Sequence, residues 1–163
     1  MTTTHAPSEA AIQATMEQVT ASVRARDTKG LVACFAENAV LEVVHGTYRG
    51  KAEIARSFDW TWQMLPKLEY RDAGMGMRIV DSMAVYEGVM KAVNADGTNL
   101  EALTLSTYEF DDDAKITRFV QVYNQWSLVQ QAADQMTGLM GPLFRWFVRT
   151  TDAEMRKGLP AAS

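Results

Sequence analysis

The sequence predicts an α+β domain: a curved antiparallel sheet wrapped around N-terminal helices, forming a cone with an internal pocket, plus a C-terminal helical extension. Three observations predict it. Near the start, Ile12, Met16, Val19 and Val23 recur at i, i+4, i+7 and i+11, the spacing of one helix face. From Lys67 to Trp126 the chain turns to alternating, β-branched stretches broken by Asp-Gly and triple-Asp turns. Beyond Ser127 helical spacing returns. With 163 residues, 47% of them apolar, the chain has material for one domain with its own core.

Each element has a local reason. Ser8 is placed to cap a first helix of about five turns. Asp27 and Thr28 interrupt it, and Leu31, Val32 and Phe35 predict a second, shorter helix. Ala39 to Val44 reads as a strand, His45-Gly46 as a turn, and Thr47 to Arg49 as a brief strand ended by Gly50. A third helix over Lys51 to Leu65 carries Ile54, Phe58, Trp62 and Leu65 on one face, and Pro66 ends it. Lys67 to Met77 alternates, with Leu68, Tyr70 and Asp72 sharing a face. Ile79 to Asn94 and Leu100 to Phe110 read as long strands joined by Ala95-Asp96-Gly97-Thr98, a strong hairpin signal. Asp111 to Ala114 then turns into a last strand over Lys115 to Trp126. The tail keeps helical spacing through Leu128, Ala132, Met136, Leu139, Leu143 and Phe147 to about Gly158, and Gly141-Pro142 predicts a kink or split. The expected organisation is a disordered start over 1–7, a cone domain over 8–132 and a helical extension over 133–163.

Composition narrows the function. Sixteen Lys and Arg against twenty Asp and Glu give a net charge of −4, which leaves no basic stripe for a nucleic-acid backbone. One cysteine, Cys34, rules out an internal disulfide and a cysteine-based zinc cluster, and two histidines, His5 and His45, argue against a His-rich metal site. Asp111-Asp112-Asp113 lacks the glycine and distal glutamate of a calcium loop and reads as a solvated hairpin tip. Residues 1–7 show no basic or apolar leader, and no window reaches the roughly 18 apolar residues of a membrane span, so a cytoplasmic protein without membrane contact is expected.

Three stretches carry a resemblance. "RARDTKGLVACFAENAVLEV" (24–43), "GTYRGKAEIARSF" (46–58) and "FDDDAKITRFVQVYNQWSLVQQA" (110–132) resemble the SnoaL-like branch of the cone-shaped superfamily named for nuclear transport factor two. They look like its second helix and first strand, its Gly-x-x-x-Gly hairpin and third helix, and its final hairpin and strand. The resemblance implies a cone that hosts isomerases, polyketide cyclases, dehydratases (lyases), epoxide hydrolases and non-catalytic binding modules. It does not carry those activities' carboxylates across. Ketosteroid isomerase-like members keep a base on the first strand, an acid on the penultimate strand and a tyrosine on the first helix; the matching positions are Val43, Ser106 and Val19. Limonene epoxide hydrolase-like members keep a carboxylate on the last strand and a tyrosine and asparagine on the first. Gln121, Leu41 and Val43 stand there. The aspartate of many SnoaL-like cyclases matches Asn124. Amides do not act as general bases near neutral pH.

Alternation then defines the expected pocket. If Val43 points inward, so do Leu41 and His45 at the strand end; Thr104, Ser106 and Tyr108 share the face, as do Phe119, Gln121, Tyr123 and Gln125. The candidate catalytic set is His45 as proton carrier with Tyr123 and Gln121 polarising an oxygen. The candidate substrate-binding set is Leu41, Val43, Phe58, Trp62, Tyr70, Ser106, Tyr108 and Phe119. As a base His45 needs an acidic orienter, Asp72, Glu87 or Glu42, and without one it reads rather as a turn histidine in solvent; Tyr108 and Tyr123 read alternatively as core tyrosines. Asp72 and Glu87 read as exposed rungs on the outer sheet face, Cys34 as a buried apolar residue and Trp62 as core filling. The apolar tail, with Leu143, Phe144, Trp146 and Phe147, reads as a lid or as a homodimer contact.

The expected function is binding of a hydrophobic small molecule, polyketide, terpenoid or steroid-like, with isomerisation, cyclisation, dehydration or hydrolysis that needs neither metal nor organic cofactor. The competing expectation is a non-catalytic binding or dimerisation module that has lost the family's carboxylates.

Overall fold

A computed structural model describes residues 6–138, 140–155 and 157. Leu139 and Gly158, placed in the tail by spacing, lie outside the described residues, as does His5. Helices α1 (Glu9–Ala25) and α2 (Thr28–Ala33) are followed by β1 (Phe35–Val43), β2 (Gly46–Arg49) and α3 (Gly50–Met64). Four strands follow, β3 (Lys67–Val80), β4 (Met83–Val93), β5 (Asn99–Phe110) and β6 (Ile116–Tyr123), and then α4 (Gln125–Gln135) and α5 (Met140–Met155). No helix among the described residues is long and apolar enough to cross a membrane.

The helix starts are set by side chains. Ser8 accepts from the Ala11 N–H at 3.2 Å, and Asp27 accepts from the Gly30 N–H at 2.9 Å, filling donors that the first turn leaves free. Arg26, in the left-handed region at φ 54°, ends α1 and turns the chain into α2.

The six strands form one sheet in the order β2-β1-β6-β5-β4-β3. Its neighbours pair antiparallel except β1 and β6, which run parallel with Leu41 opposite Phe119. The inner face follows the period-2 rule. Ala84, Met90 and Ala92 of β4, Thr104, Ser106, Tyr108 and Phe110 of β5 and Phe119 of β6 are buried, whereas Leu103, Leu105 and Val122 between them are exposed. Ile12, Met16 and Val19 of α1 join Leu31, Phe35, Leu41, Ile54 and Ile116 in the core at the closed end of the cone. Phe35 belongs to β1 rather than α2, so that strand starts earlier than its β-branched centre indicated.

Three sequence expectations need correction. The stretch from Ile79 to Asn94 is not one strand, because Asp81, at φ 52°, turns the chain between β3 and β4. The alternation read from Lys67 to Met77 is interrupted inside β3, where Gly74 and Gly76, at φ 50° and 59°, form a bulge between the Asp72–Gly88 and Met77–Tyr86 pairs. Glu87 fixes that bulge from the outer face by accepting the Met75 N–H at 3.0 Å. The tail does split, but before Gly141-Pro142; Gly138 adopts φ 80° between the helices, and Pro142 falls in the first turn of α5, where its missing N–H costs nothing. The last strand ends at Tyr123, so Gln125 is not on its inner face. It opens α4, and its amide donates to the Val44 carbonyl at 3.5 Å.

Helix α4 completes the sheet. β6 pairs with β5 only from Thr104 onward, leaving the first residues of β5 with an open edge. Gln131 fills it by accepting the Glu101 N–H and donating to the Glu101 carbonyl, both at 2.7 Å. Gln135 does the same at Asn99, at 2.8 and 2.6 Å. Four residues rise about 6 Å along a helix and two residues about 6.7 Å along a strand, so the two periods match. The glutamine amides thus serve as two rungs of a strand that is not there. At roughly 0.5–1.5 kcal/mol net per bond, a Gln131→Ala/Gln135→Ala variant that loses all four is less stable by about 2–6 kcal/mol in urea unfolding. Hydrogen exchange accelerates at the Asn99 and Glu101 amides; unchanged exchange there contradicts the clamp.

Candidate functional site

Strand pairing lines up the inner face in rungs. Tyr86, Ser106 and Gln121 share one rung across β4, β5 and β6, and Gly88, Thr104 and Tyr123 share the next, with Asp72 of β3 opposite Gly88. Tyr70 lies one step further out, opposite Met90. The Gln121 side-chain amide donates to the Ser106 hydroxyl at 3.3 Å and to the Tyr70 hydroxyl at 3.4 Å. Tyr108 hydrogen-bonds with Ser106 and stacks on Phe119 at a centroid distance of 4.4 Å. Gln121, Tyr70, Ser106 and Tyr108, drawn from three strands, therefore form one connected polar cluster inside an apolar cone.

Burial keeps its phenols protonated. Desolvation pushes the Tyr70 hydroxyl up to about 12, opposed in part by the Gln121 amide. Desolvation also raises Tyr108 above its ordinary value, and raises Tyr123, on the adjoining rung, more mildly. Neutral phenols at physiological pH are hydrogen-bond donors, suited to a carbonyl or to negative charge developing on oxygen.

The other expected residues divide. Leu41 is fully buried beneath Phe119, and Val43 packs against the same core, so both sit at the closed side of the cluster. Phe58 and Trp62 stack on each other at 5.9 Å and turn toward α2: Phe58 meets Phe35, and the Trp62 indole N–H donates to the Thr28 hydroxyl at 3.0 Å. The structure does not bring these two rings to Gln121. His45 is exposed in the β1–β2 turn, its ring against Trp60 at 5.1 Å and Tyr48 at 5.8 Å, and loss of solvent lowers its pKa. None of its expected acidic partners reaches it. Glu42 holds Arg118 at 2.6 Å, Glu87 holds the bulge, and Asp72 takes the Tyr86 hydroxyl. Asn124, at the position of the cyclases' aspartate, caps α4 by accepting the Ser127 N–H at 3.1 Å. Cys34 is buried, with its thiol pushed up by desolvation and donating to the Gly30 carbonyl. Among the described residues no cluster of three His, Cys, Asp or Glu side chains is placed to hold a metal ion.

Two site residues, Asp72 and Tyr86, escaped the sequence, and a third, Thr104, which alternation did place on this face, is left unpaired. Asp72 is exposed, as expected, but its place in the register is opposite Gly88 on the inner face, where its carboxylate raises the Tyr86 phenol's pKa beyond what desolvation alone does. Tyr86 lies across Gly88, its hydroxyl filling the space a side chain there would take. Thr104 is fully buried, and its hydroxyl has no hydrogen-bond partner. The signal was present in Gly88, the one inner-face position of β4 without a side chain, two residues from a tyrosine. Two cavities stand apart from the cluster: one of about 390 Å³ between α4 and α5, lined in part by Asp134, Arg145 and Arg149, and one of about 340 Å³ against the Lys67, Lys91 and Glu101 end of the sheet.

The raised Tyr70 has a pH consequence. The unfolded chain releases that proton near 10 and the folded one near 12, so this contribution to stability is complete below pH 10 and is lost as pH rises to 12. Unfolding midpoints measured across that range fall more steeply for the native sequence than for Tyr70→Phe; parallel profiles contradict the burial of this phenol.

Comparison with known proteins supplies the family. The family model for the SnoaL-like domain matches residues 16–119. A putative SnoaL-like polyketide cyclase from Shewanella denitrificans superimposes with a TM-score of 0.68 at 12% identity, over 76% of this chain and 98% of that one. AclR, a putative hydroxylase from Streptomyces galilaeus, gives 0.65 at 12% identity over 94% of this chain and all of that one, so its likeness extends into the C-terminal helices. An epoxide hydrolase of the limonene epoxide hydrolase type from M. tuberculosis gives 0.63 at 13% identity, over 75% and 89% of the two chains. No curated protein matches the sequence. Likeness at this identity establishes the cone, and the family model goes further: with its match running from α1 to β6, the chain belongs to the SnoaL-like domain family.

Proposed function

We propose that this protein binds a hydrophobic small molecule of polyketide, terpenoid or steroid-like kind in its cone and acts on it without cofactor, by isomerisation, cyclisation, dehydration or hydrolysis. The observation that carries the reading is the joining of Gln121, Ser106, Tyr70 and Tyr108 into one buried polar cluster on an otherwise apolar inner face. Such donors have little purpose in a dry core and suit an oxygen arriving on an apolar ligand. Tyr123 and Gln121 would hold and polarise that oxygen. His45, whose lowered pKa keeps the imidazole neutral, would exchange protons at the rim beside Trp60. The family's non-catalytic members supply the second reading, favoured by one observation: in the cluster itself, hydroxyls and an amide stand where a base would be needed.

Calorimetric titration with 2-acetylnaphthalene, a flat apolar ring system whose one oxygen is a carbonyl, tests the site. Saturable binding is expected, weakened about tenfold by Gln121→Ala and by Tyr123→Phe. Binding that both variants leave unchanged removes these residues from the site. Turnover of a later-identified substrate that persists in Tyr123→Phe, Gln121→Ala and His45→Ala overturns their catalytic role.

We also propose a homodimer. Leu103, Leu105 and Val122 are 58%, 43% and 50% exposed on the outer sheet face, bordered by the Arg118–Glu109 and Lys91–Glu101 ion pairs. On α5, Met140, Leu143, Trp146 and Phe147 are each more than half exposed, which supports an interface over a lid, since a closed lid would bury them. Sedimentation velocity is expected to show a dimer that Leu105→Glu converts to monomer; a monomeric native protein contradicts it.

A further inference from the structure

The rung that holds Asp72, Gly88, Thr104 and Tyr123 contains a hydroxyl group that the fold does not use. Thr104 is fully buried at the centre of the sheet, and its Oγ1 is the buried side-chain oxygen or nitrogen that lacks a hydrogen-bond partner among the described residues. A buried donor left unpaired is costly, and valine would fill the same volume without that cost. Its neighbours are set by the register. Tyr123 stands across on β6 and Gly88 across on β4. Gly88 gives up its own side-chain space to Tyr86, whose hydroxyl lies there, between Thr104 on one side and Asp72 on the other.

Asp72 decides what that phenol can do. Asp72, opposite Gly88 in the register, raises the Tyr86 pKa as a group that accepts the phenol's hydrogen does. The Tyr86 oxygen is left with lone pairs and no free hydrogen. Beside it, the Thr104 hydroxyl has a hydrogen and no acceptor. One acceptor next to one donor matches a group that both donates and accepts through a single oxygen. That group is a hydroxyl; a carbonyl or an ether can use Thr104 but has nothing to give Tyr86.

Resting on the reading of the cone as a ligand site, we propose that Thr104 and Tyr86 form a subsite for a hydroxyl of an apolar ligand, an alcohol or phenol. In it Thr104 donates to the ligand oxygen, that hydroxyl donates to the Tyr86 oxygen, and Asp72 is the positioning residue that fixes Tyr86 as acceptor. The subsite sits one rung from Gln121 and Ser106, so the ligand class it selects carries a hydroxyl close to the oxygen that the cluster holds.

Two probes that differ only in the donor test it. 2-Naphthol can donate and accept, whereas 2-methoxynaphthalene can only accept. The native protein is expected to bind the naphthol at least tenfold more tightly. Asp72→Ala frees the Tyr86 hydrogen and brings the ratio to within about threefold, while Asp72→Asn, whose amide oxygen still accepts from Tyr86, keeps it. Thr104→Val weakens both probes several-fold and raises Tm, a pairing that a merely structural threonine would not show. A native ratio near one, a ratio that Asp72→Ala leaves unchanged, or failure of both probes to bind overturns the subsite; if 2-acetylnaphthalene still responds to Gln121→Ala, the wider reading of the cone stands.

Discussion

Register across β4, β5 and β6 is the constraint on which this molecule depends. Inner and outer faces alternate with a period of two, so a slip of one residue would send Thr104, Ser106 and Gln121 to solvent and bring Leu103, Leu105 and Val122 inside. Hydrophobicity alone opposes such a slip weakly, because the outer face is itself apolar. What pins the strands is local and polar. The Asp96-Gly97 turn closes β4 on β5, with the Thr98 N–H bound by Asp96 at 2.9 Å. Asp111 closes β5 on β6 by accepting from the Asp113 and Lys115 N–H groups at 3.1 and 2.8 Å. Glu87 locks the β3 bulge, and the two glutamines of α4 hold the end of β5 that β6 does not reach.

From that register the chemistry follows. Placing oxygens inside an apolar cone is unfavourable unless each finds a partner. Gln121 partners two of them at once, Ser106 serves both Gln121 and Tyr108, and Asp72 serves Tyr86. Thr104 is the exception. The same low-dielectric surroundings that raise the tyrosine pKa values keep those phenols as donors, so the interior is organised to receive an oxygen rather than to supply a charge. On the opposite face of the sheet Arg118 bridges Glu42 and Glu109 in solvent and contributes little to stability.

Much of this was legible in the residues. The Ser8 cap, the Asp-Gly hairpin and the alternation from Leu100 to Phe110 are short-range signals, and each gave its element nearly residue for residue. Leu41, Tyr70, Ser106, Tyr108, Phe119 and Gln121 share the inner face that alternation assigned them. What was not legible depends on two strands at once. Simple alternation through Gly74 and Gly76 puts Met77 on the outer face, and the bulge they form against β4 is what returns it to the inner one. Asp72 is an exposed carboxylate whose tie to Tyr86 shows only once that ring is laid across Gly88. Gln131 and Gln135 look like ordinary helix residues because the edge they cover exists only once β6 has ended.

The central claim is that ligand recognition belongs to the inner face of β5 and β6 and not to the α4–α5 cavity. Side-chain NMR shifts on addition of 2-naphthol test it most directly. The account predicts perturbation at the Thr104 methyl and the Gln121 amide, with Asp134, Arg145 and Val148 unmoved. Perturbation confined to Ala133, Arg145 and Val148 would contradict it.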